Sequence, residues 1–294
     1  MQGKPENFAI QQPIIERMEA PNMTLNKDKQ VVVEDEQIQL IRLKRLTTIG
    51  QVLVGILFVA LWEILTKFGI IDSYYWSSPS TIVQTTYVSF TEGTLLQDLI
   101  YTSGATIIGF AAGTFLGSIL GLSFWWSSLY SNIAEPYLIA FNAIPKLALA
   151  PVLVIMFGIG FFSKVILAFL MVVIVTAIAA YSGVKAVDKD LEKLLFSLGA
   201  RRMQVFKKVV IPSAMPWIVS SLKINIALAL AGAIVGEFIS SRQGVGRMIL
   251  YAGQVMDIDL VWVGVVVLSV LAIIMYVATV WLEKWLLKGR SVEE

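Results

Sequence analysis

The sequence predicts an all-α protein that crosses a membrane six times, and two compositional facts and one pattern carry that expectation. Of 294 residues, 57% are hydrophobic and 15% charged, and the mean hydropathy is +0.76, far from the balance of a water-soluble domain. The pattern is a set of apolar stretches, each near the ~20 residues that a helix needs to cross a bilayer core. They fall at 48–68, 104–126, 136–158, 163–182, 216–239 and 261–285. A polar tail (1–47) thus precedes a membrane-spanning domain (48–294).

The tail carries Pro5, Pro13 and Pro21 and has no short apolar core of the kind that directs secretion. Its last part sets Ile38, Leu40, Ile41, Leu43 and Leu46 beside Arg42, Lys44 and Arg45. That mixture suits either a segment lying along the inner membrane surface or a flexible lead-in. In the second span, Ala105, Gly109, Gly113, Gly117 and Gly121 recur every four residues. Such a smooth ridge lets another helix approach closely, either within the bundle or at a dimer seam. The third span is interrupted by Asn142, Pro145, Lys146 and Pro151, so a broken helix is expected, with protein or a water-filled cavity meeting its freed backbone groups.

Between the fourth and fifth spans lies a charged island, GVKAVDKDLEKLLFSLGARRMQVFKKVVIP, from Gly183 to Pro212. Ten charged side chains make hydrocarbon an intolerable place for it. Leu191, Leu194, Leu195 and Leu198 recur at i, i+3, i+4 and i+7, and Gly199 stands where a helix C-terminal cap is expected. Met203, Phe206, Val209 and Val210 make a second short stripe, which Pro212 is expected to stop. Two small amphipathic helices joined at a glycine, beside a membrane, form a surface for a partner to grip.

Positive charge sets the orientation. Residues 1–47 hold seven Lys or Arg, the island seven more, and the C-terminal tail Lys284, Lys288 and Arg290, together seventeen of the 23. The segment 69–103 holds none. The positive-inside bias places both termini and the island in the cytoplasm, with Arg242 and Arg247 counting against it on the outer side.

The chain has neither Cys nor His. Disulfides, thiolate metal sites, the usual general base and the commonest metal ligand are therefore missing. No catalytic or metal-binding residue and no nucleic-acid partner is expected. Gly158-Ile-Gly160-Phe-Phe-Ser163-Lys164 faintly resembles a phosphate loop, but Ser163 replaces the glycine before the lysine and Val165 replaces the hydroxyl residue after it. Energy for pumping must come from another subunit or an ion gradient. Four charges fall in or near the predicted hydrocarbon: Glu63, Lys146, Lys223 and Glu237. Glu63 has Lys67 four residues on, a local helical pair. Lys223 is read as snorkelling to the inner surface. Lys146, at the break, offers a positive charge to an anionic solute or is a structural lysine, and Glu237 either serves an outer gate or faces outside water.

These residues resemble the permease subunits of bacterial binding-protein-dependent ABC importers, specifically the nitrate/sulfonate/taurine group. Gly199 and Pro212 stand at the separation found in that family's cytoplasmic loop, with Val209 and Ile211 in its apolar positions. Lys193, Leu194 and Leu195 occupy its Glu-Ala-Ala positions, with Glu192 one place early. Ser78-Pro79-Ser80, the run from Ile144 to Pro151, Phe157-Gly158-Ile159-Gly160, and Gly236-Glu237 followed by Gly244-Val245-Gly246 are similar to the group's pattern, so the likeness covers roughly residues 50–290. Thr102-Ser103-Gly104-Ala105 stands where the family often has an arginine.

The resemblance implies a type I importer permease fold in the bacterial inner membrane. It also implies a cytoplasmic ABC ATPase, a second permease subunit (a homodimer), an extracytoplasmic solute-binding protein and surrounding lipid as partners. ATP and magnesium would be used by the ATPase, with no cofactor on this chain. The loop 183–215 would couple to the ATPase through Leu191, Leu194, Leu195, Leu198, Gly199, Phe206 and Pro212. Gly109, Gly113, Gly117 and Gly121 would pack helices, and Lys146 and Glu237 would border the path. The implied cargo is a small oxyanion such as nitrate, a sulfonate or taurine, or a small vitamin-like precursor. The rival reading is an ATP-independent secondary transporter or channel, which would show internal repeats or coupling-site charges. No repeat relates 48–158 to 163–285.

Overall fold

The computed structural model describes residues 42–43 and 45–288, so most of the expected tail 1–47 lies outside the described residues. By internal contacts the chain separates into 1–65 and 66–294. Residues 45–65 of the first unit belong to one apolar helix, α1 (Arg45–Lys67), which begins three residues before the span expected at 48–68.

Among its described residues, the regular elements of the second unit are all helices. A short helix α2 (Ser73–Trp76) and α3 (Pro79–Thr91) lead into the long α4 (Leu95–Ser123), which a 3-10 turn extends to Trp126. Ser78 caps α3 by accepting from the Thr81 N–H, with Pro79 at the first helical position, where its missing donor costs nothing. The second span therefore starts nine residues before 104, and brings Asp98 and Thr102 into the bundle.

The third span is two helices, α5 (Ser128–Ala143) and α6 (Ala150–Phe157), with a 3-10 turn at Lys146–Leu149 between them. The two arms meet at 76°. Pro145 explains the position of the break, because a residue before proline is driven out of the helical region, and Ile144 has ψ 131°. Lys146 Nζ then donates to the Asn142 carbonyl at 3.0 Å, satisfying the end of α5.

The centre of the unit is α4 packed on α7 (Phe161–Lys185), and α7 packed on α10 (Ile211–Ile239). Gly109, Gly113, Gly117 and Gly121 are all buried and face α7. A Cβ on Gly109 would stand 2.5 Å from the Ala168 Cβ, and one on Gly113 2.7 Å from the Val172 Cβ. The ridge is thus filled from within the chain. Ala105, Val165, Ala168, Val172, Ala229 and Ala233 form the heart of this three-helix contact. Lower down, Asn225 on α10 donates to Thr176 Oγ1 on α7 at 2.8 Å, a polar tie inside the apolar core.

The last span, α12 (Ile258–Leu286), joins α10 through a Lys223–Glu283 ion pair of 2.9 Å. Lys223 therefore bonds to a neighbouring helix, where the sequence alone suggested a solvent-seeking side chain. Between α10 and α12 a further helix, α11 (Val245–Gln254), starts at the Gly244-Val245-Gly246 run. The loop after α7 folds as α8 (Lys189–Ser197), α9 (Arg202–Val205) and a π-helical turn at Phe206–Val210.

Pro212 does not stop this last element, contrary to expectation: the helical path runs unbroken from Arg202 to Ile239. The π turn just before Pro212 widens the hydrogen-bond ladder where the proline ring and its missing N–H would otherwise clash and leave a gap.

Candidate functional site

Two polar constructions stand out, one at each end of the α4–α7–α10 core. The first is the loop 186–210. Asp188 Oδ1 accepts from the N–H groups of Asp190 (2.8 Å) and Leu191 (3.4 Å), which starts α8. The helix ends in a Schellman arrangement: Ala200 N–H donates to the Leu195 carbonyl and Gly199 N–H to that of Phe196, each at 3.0 Å. Gly199 has φ +80°, the left-handed conformation that this cap requires.

The four leucines do not share one environment. Leu191, Leu194 and Leu198 are 43%, 54% and 74% exposed, with Phe196 and Met203 also turned outward. Leu195 instead packs inward on Val187, Val205, Val209 and Val210, and Phe206 joins it. A nine-residue helix lying on a surface has one seam that must be buried, and position 195 falls on it. Leu195 and Phe206 therefore seat the loop, while Leu191, Leu194 and Leu198 form its free face. Pro212 lies in the first turn of α10.

The loop is fastened to the 3-10 turn that ends the second span. Arg202 lies over both Trp125 (5.3 Å) and Trp126 (5.2 Å) and donates to the Trp126 carbonyl. Phe206 packs against both indoles with ring centroids 5.4 Å apart. Trp125 Nε1 donates to Glu192 Oε1 at 2.9 Å, so the glutamate one place early in the loop bonds to an indole. Nearby, Glu135 of α5 accepts from Lys185 (2.6 Å) and Tyr181 (2.9 Å) of α7.

The second construction surrounds Glu237, which is 0% exposed, so it does not face outside water as the sequence allowed. Its Oε1 accepts from Thr102 Oγ1 (2.8 Å) and its Oε2 from the Gly246 N–H (2.8 Å). Thr102 Oγ1 in turn accepts from the Val245 N–H (3.0 Å), and Asp98 Oδ1 from the Gly244 N–H (2.6 Å). Three successive N–H groups at the start of α11 are thus capped by three side chains from α4 and α10. The helix N-terminus, rich in unpaired donors and partial positive charge, is what makes two buried carboxylates tolerable there. Gly244 has φ +114°, and a Cβ on it would come within 2.5 Å of both Glu237 carboxylate oxygens, so only glycine fits.

Lys164, also 0% exposed, completes this end. Its stem lies on Gly236, and its Nζ donates to Ser163 Oγ (3.2 Å) and to the Ser240 carbonyl at the end of α10. The lysine of the abandoned phosphate loop is thus a helix-end cap. Sequence reasoning missed Asp98, Thr102, Ser163 and Lys164 as a set. Asp98 would have drawn notice as an intramembrane carboxylate had the second span been started at Leu95. Lys146 lies apart from this cluster, at the break of the third span.

Residues 113–288 match the family model described as binding-protein-dependent transport system inner membrane component. The chain is 31% identical over 236 residues to the formylaminopyrimidine transport permease protein ThiX of Halalkalibacterium halodurans, covering 80% of this chain and 94% of the relative. It is 31% identical over 186 residues to the taurine transport system permease protein TauC of Escherichia coli (63% of this chain, 68% of TauC). It is 27% identical over 251 residues to the putative aliphatic sulfonates transport permease protein SsuC of Bacillus subtilis (85% and 91%). Among solved structures, an inward-facing MetNI methionine ABC transporter superposes with a TM-score of 0.56 at 17% identity, over 65% of this chain and 94% of the other. That likeness establishes the fold. Matched over more than half its length by one family model, the chain belongs to the binding-protein-dependent transport system inner membrane components, the permease subunits of ABC importers.

Proposed function

We propose that two copies of this chain enclose a path for a small polar solute, with a cytoplasmic ABC ATPase docked on the free face of α8. An extracytoplasmic binding protein delivers the solute, and ATP and magnesium act in the ATPase alone. The exposed Leu191–Leu194–Leu198 face carries the proposal: three leucines held outward by a helix whose fourth, Leu195, anchors it. Burying one leucine against a partner is worth roughly 1.5–3 kcal/mol, so the face has the anchors a docking groove needs. Seventeen basic residues on one side support a cytoplasmic position for both termini and this loop.

The cargo is a sulfonate such as taurine or a pyrimidine precursor, the classes named for TauC, SsuC and ThiX. Lys146 is the path residue, because it sits at the 76° break where backbone leaves the helical ladder. The test is ATP-driven uptake in proteoliposomes holding the permease, its ATPase and its binding protein, with labelled taurine and labelled aminopyrimidine as probes. Leu194→Asp should insert normally, lose co-purification with the ATPase and lose uptake of whichever probe the wild type carries. Retention of both by Leu194→Asp refutes the docking face, and uptake by the wild type without ATP refutes the importer reading.

A further inference from the structure

The second span is a continuous helical path of 32 residues, Leu95–Trp126. At about 1.5 Å per residue it extends roughly 48 Å. Each of its ends is tied to a different element. At one end, Trp125 and Trp126 hold the loop 186–210 through the Arg202 stack, the Arg202 bond to the Trp126 carbonyl, the Phe206 rings and the Glu192–Trp125 hydrogen bond. At the other, Asp98 and Thr102 hold the first two N–H groups at the start of α11. Between them the glycine ridge presses α4 onto α7 too closely for independent bending.

We propose that Arg202 is the positioning residue that fastens the ATPase-docking loop to the second span, so that displacement of the loop is carried along α4 to the Asp98–Thr102 end and moves α11. This rests on the docking face assigned above. Arg202 suits the task because its flat guanidinium stacks on two indoles while its fork donates to a main-chain carbonyl. Lysine offers a point charge with no stacking plane. Leu195 and Phe206 pack the loop onto its own valine cluster, so it moves as one piece.

The chain has no cysteine, so Gln243→Cys, just ahead of α11 and exposed, accepts a single environment-sensitive fluorophore. The experiment uses the assembled complex of permease, ATPase and binding protein in nanodiscs, and reads three quantities: ATPase co-purification, ATP hydrolysis, and the fluorescence change at position 243 on adding ATP and magnesium. In Arg202→Ala, the ATPase should remain bound and hydrolyse ATP, while the signal at 243 falls roughly tenfold, as expected when a charge-assisted bond and two stacking contacts are lost together. Arg202→Lys should fall between the two. A full signal in Arg202→Ala overturns the proposal, and so does loss of the ATPase, which would make Arg202 a docking contact. If Arg202→Ala fails to insert, Arg202→Met decides by the same readings, since it keeps an apolar stem of similar reach and removes both the guanidinium plane over the indoles and the donor to the Trp126 carbonyl. Failure of the docking face itself is read separately, as an ATPase that stays bound to Leu194→Asp.

Discussion

Replacing Gly109 with alanine is the sharpest test of the helix core. The added methyl would stand 2.5 Å from the Ala168 Cβ, 2.9 Å from the Val165 carbonyl and 3.0 Å from the Phe169 nitrogen. Carbon atoms rest about 3.5–4.0 Å apart, so α4 and α7 must separate by roughly 1 Å at this point. None of the three opposing atoms is the tip of a flexible side chain. Overpacking of this kind costs about 1–3 kcal/mol, and the better helix propensity of alanine returns at most about 1 kcal/mol. The net loss, up to about 2 kcal/mol, lowers the thermal midpoint by about 2–4 °C per kcal/mol in a domain of this size.

Tryptophan fluorescence of the purified protein in detergent, followed on heating, reads this directly. Adding Ala168→Gly to Gly109→Ala removes the nearest obstacle and should recover part of the loss, with a coupling energy above about 0.5 kcal/mol. Recovery stays incomplete because the Val165 carbonyl remains. Gly104→Ala, on the same helix, is the control: its Cβ would meet only Phe161 ring atoms at 3.4 Å, ordinary contact, so the midpoint should hold or rise. If Gly109→Ala and Gly104→Ala melt alike, the glycine ridge does not pack against α7.

Gly199→Val places a branched side chain at φ +80°, costing on the order of 1 kcal/mol or more. Since nothing lies within 4 Å of its Cβ, the chain should still insert while uptake per ATP drops, and Gly199→Asn should be milder. Unchanged uptake in the valine variant would show that the cap does not aim the loop. Glu237→Gln keeps the shape but turns an amide donor toward either Thr102 or the Gly246 N–H, leaving a buried donor unmatched at about 1–3 kcal/mol. An unaltered thermal midpoint would contradict the capping scheme. Single cysteines at Thr91 and Ser197 should differ in access: the first labelled by an impermeant maleimide on intact cells, the second only after permeabilisation. Labelling of position 197 from outside would invert the orientation.

Local chemistry made much of this legible in the sequence. Crossing a bilayer demands a run of apolar residues, and ten charges cannot sit in hydrocarbon, so the spans and the island between them could be read from neighbours along the chain. The break near Pro145 and the helix end at Gly199 were equally local, each fixed by the backbone angles that one residue type permits. The continuation through Pro212 was not, because a widened turn and packing on Val187 and Val205 override the local cost of a proline. Nor could periodicity divide the leucines: a helical stripe names a face, whereas Leu195 turns inward only because Val205, Val209 and Val210 of the next element lie beneath it. The capping of α11 is the extreme case. Thr102 and Glu237 are 135 residues apart, and each alone reads as an ordinary side chain near the end of an apolar span. Their meaning arises when the bundle brings both to three unpaired N–H groups, since burial supplies the penalty that makes every remaining partner count.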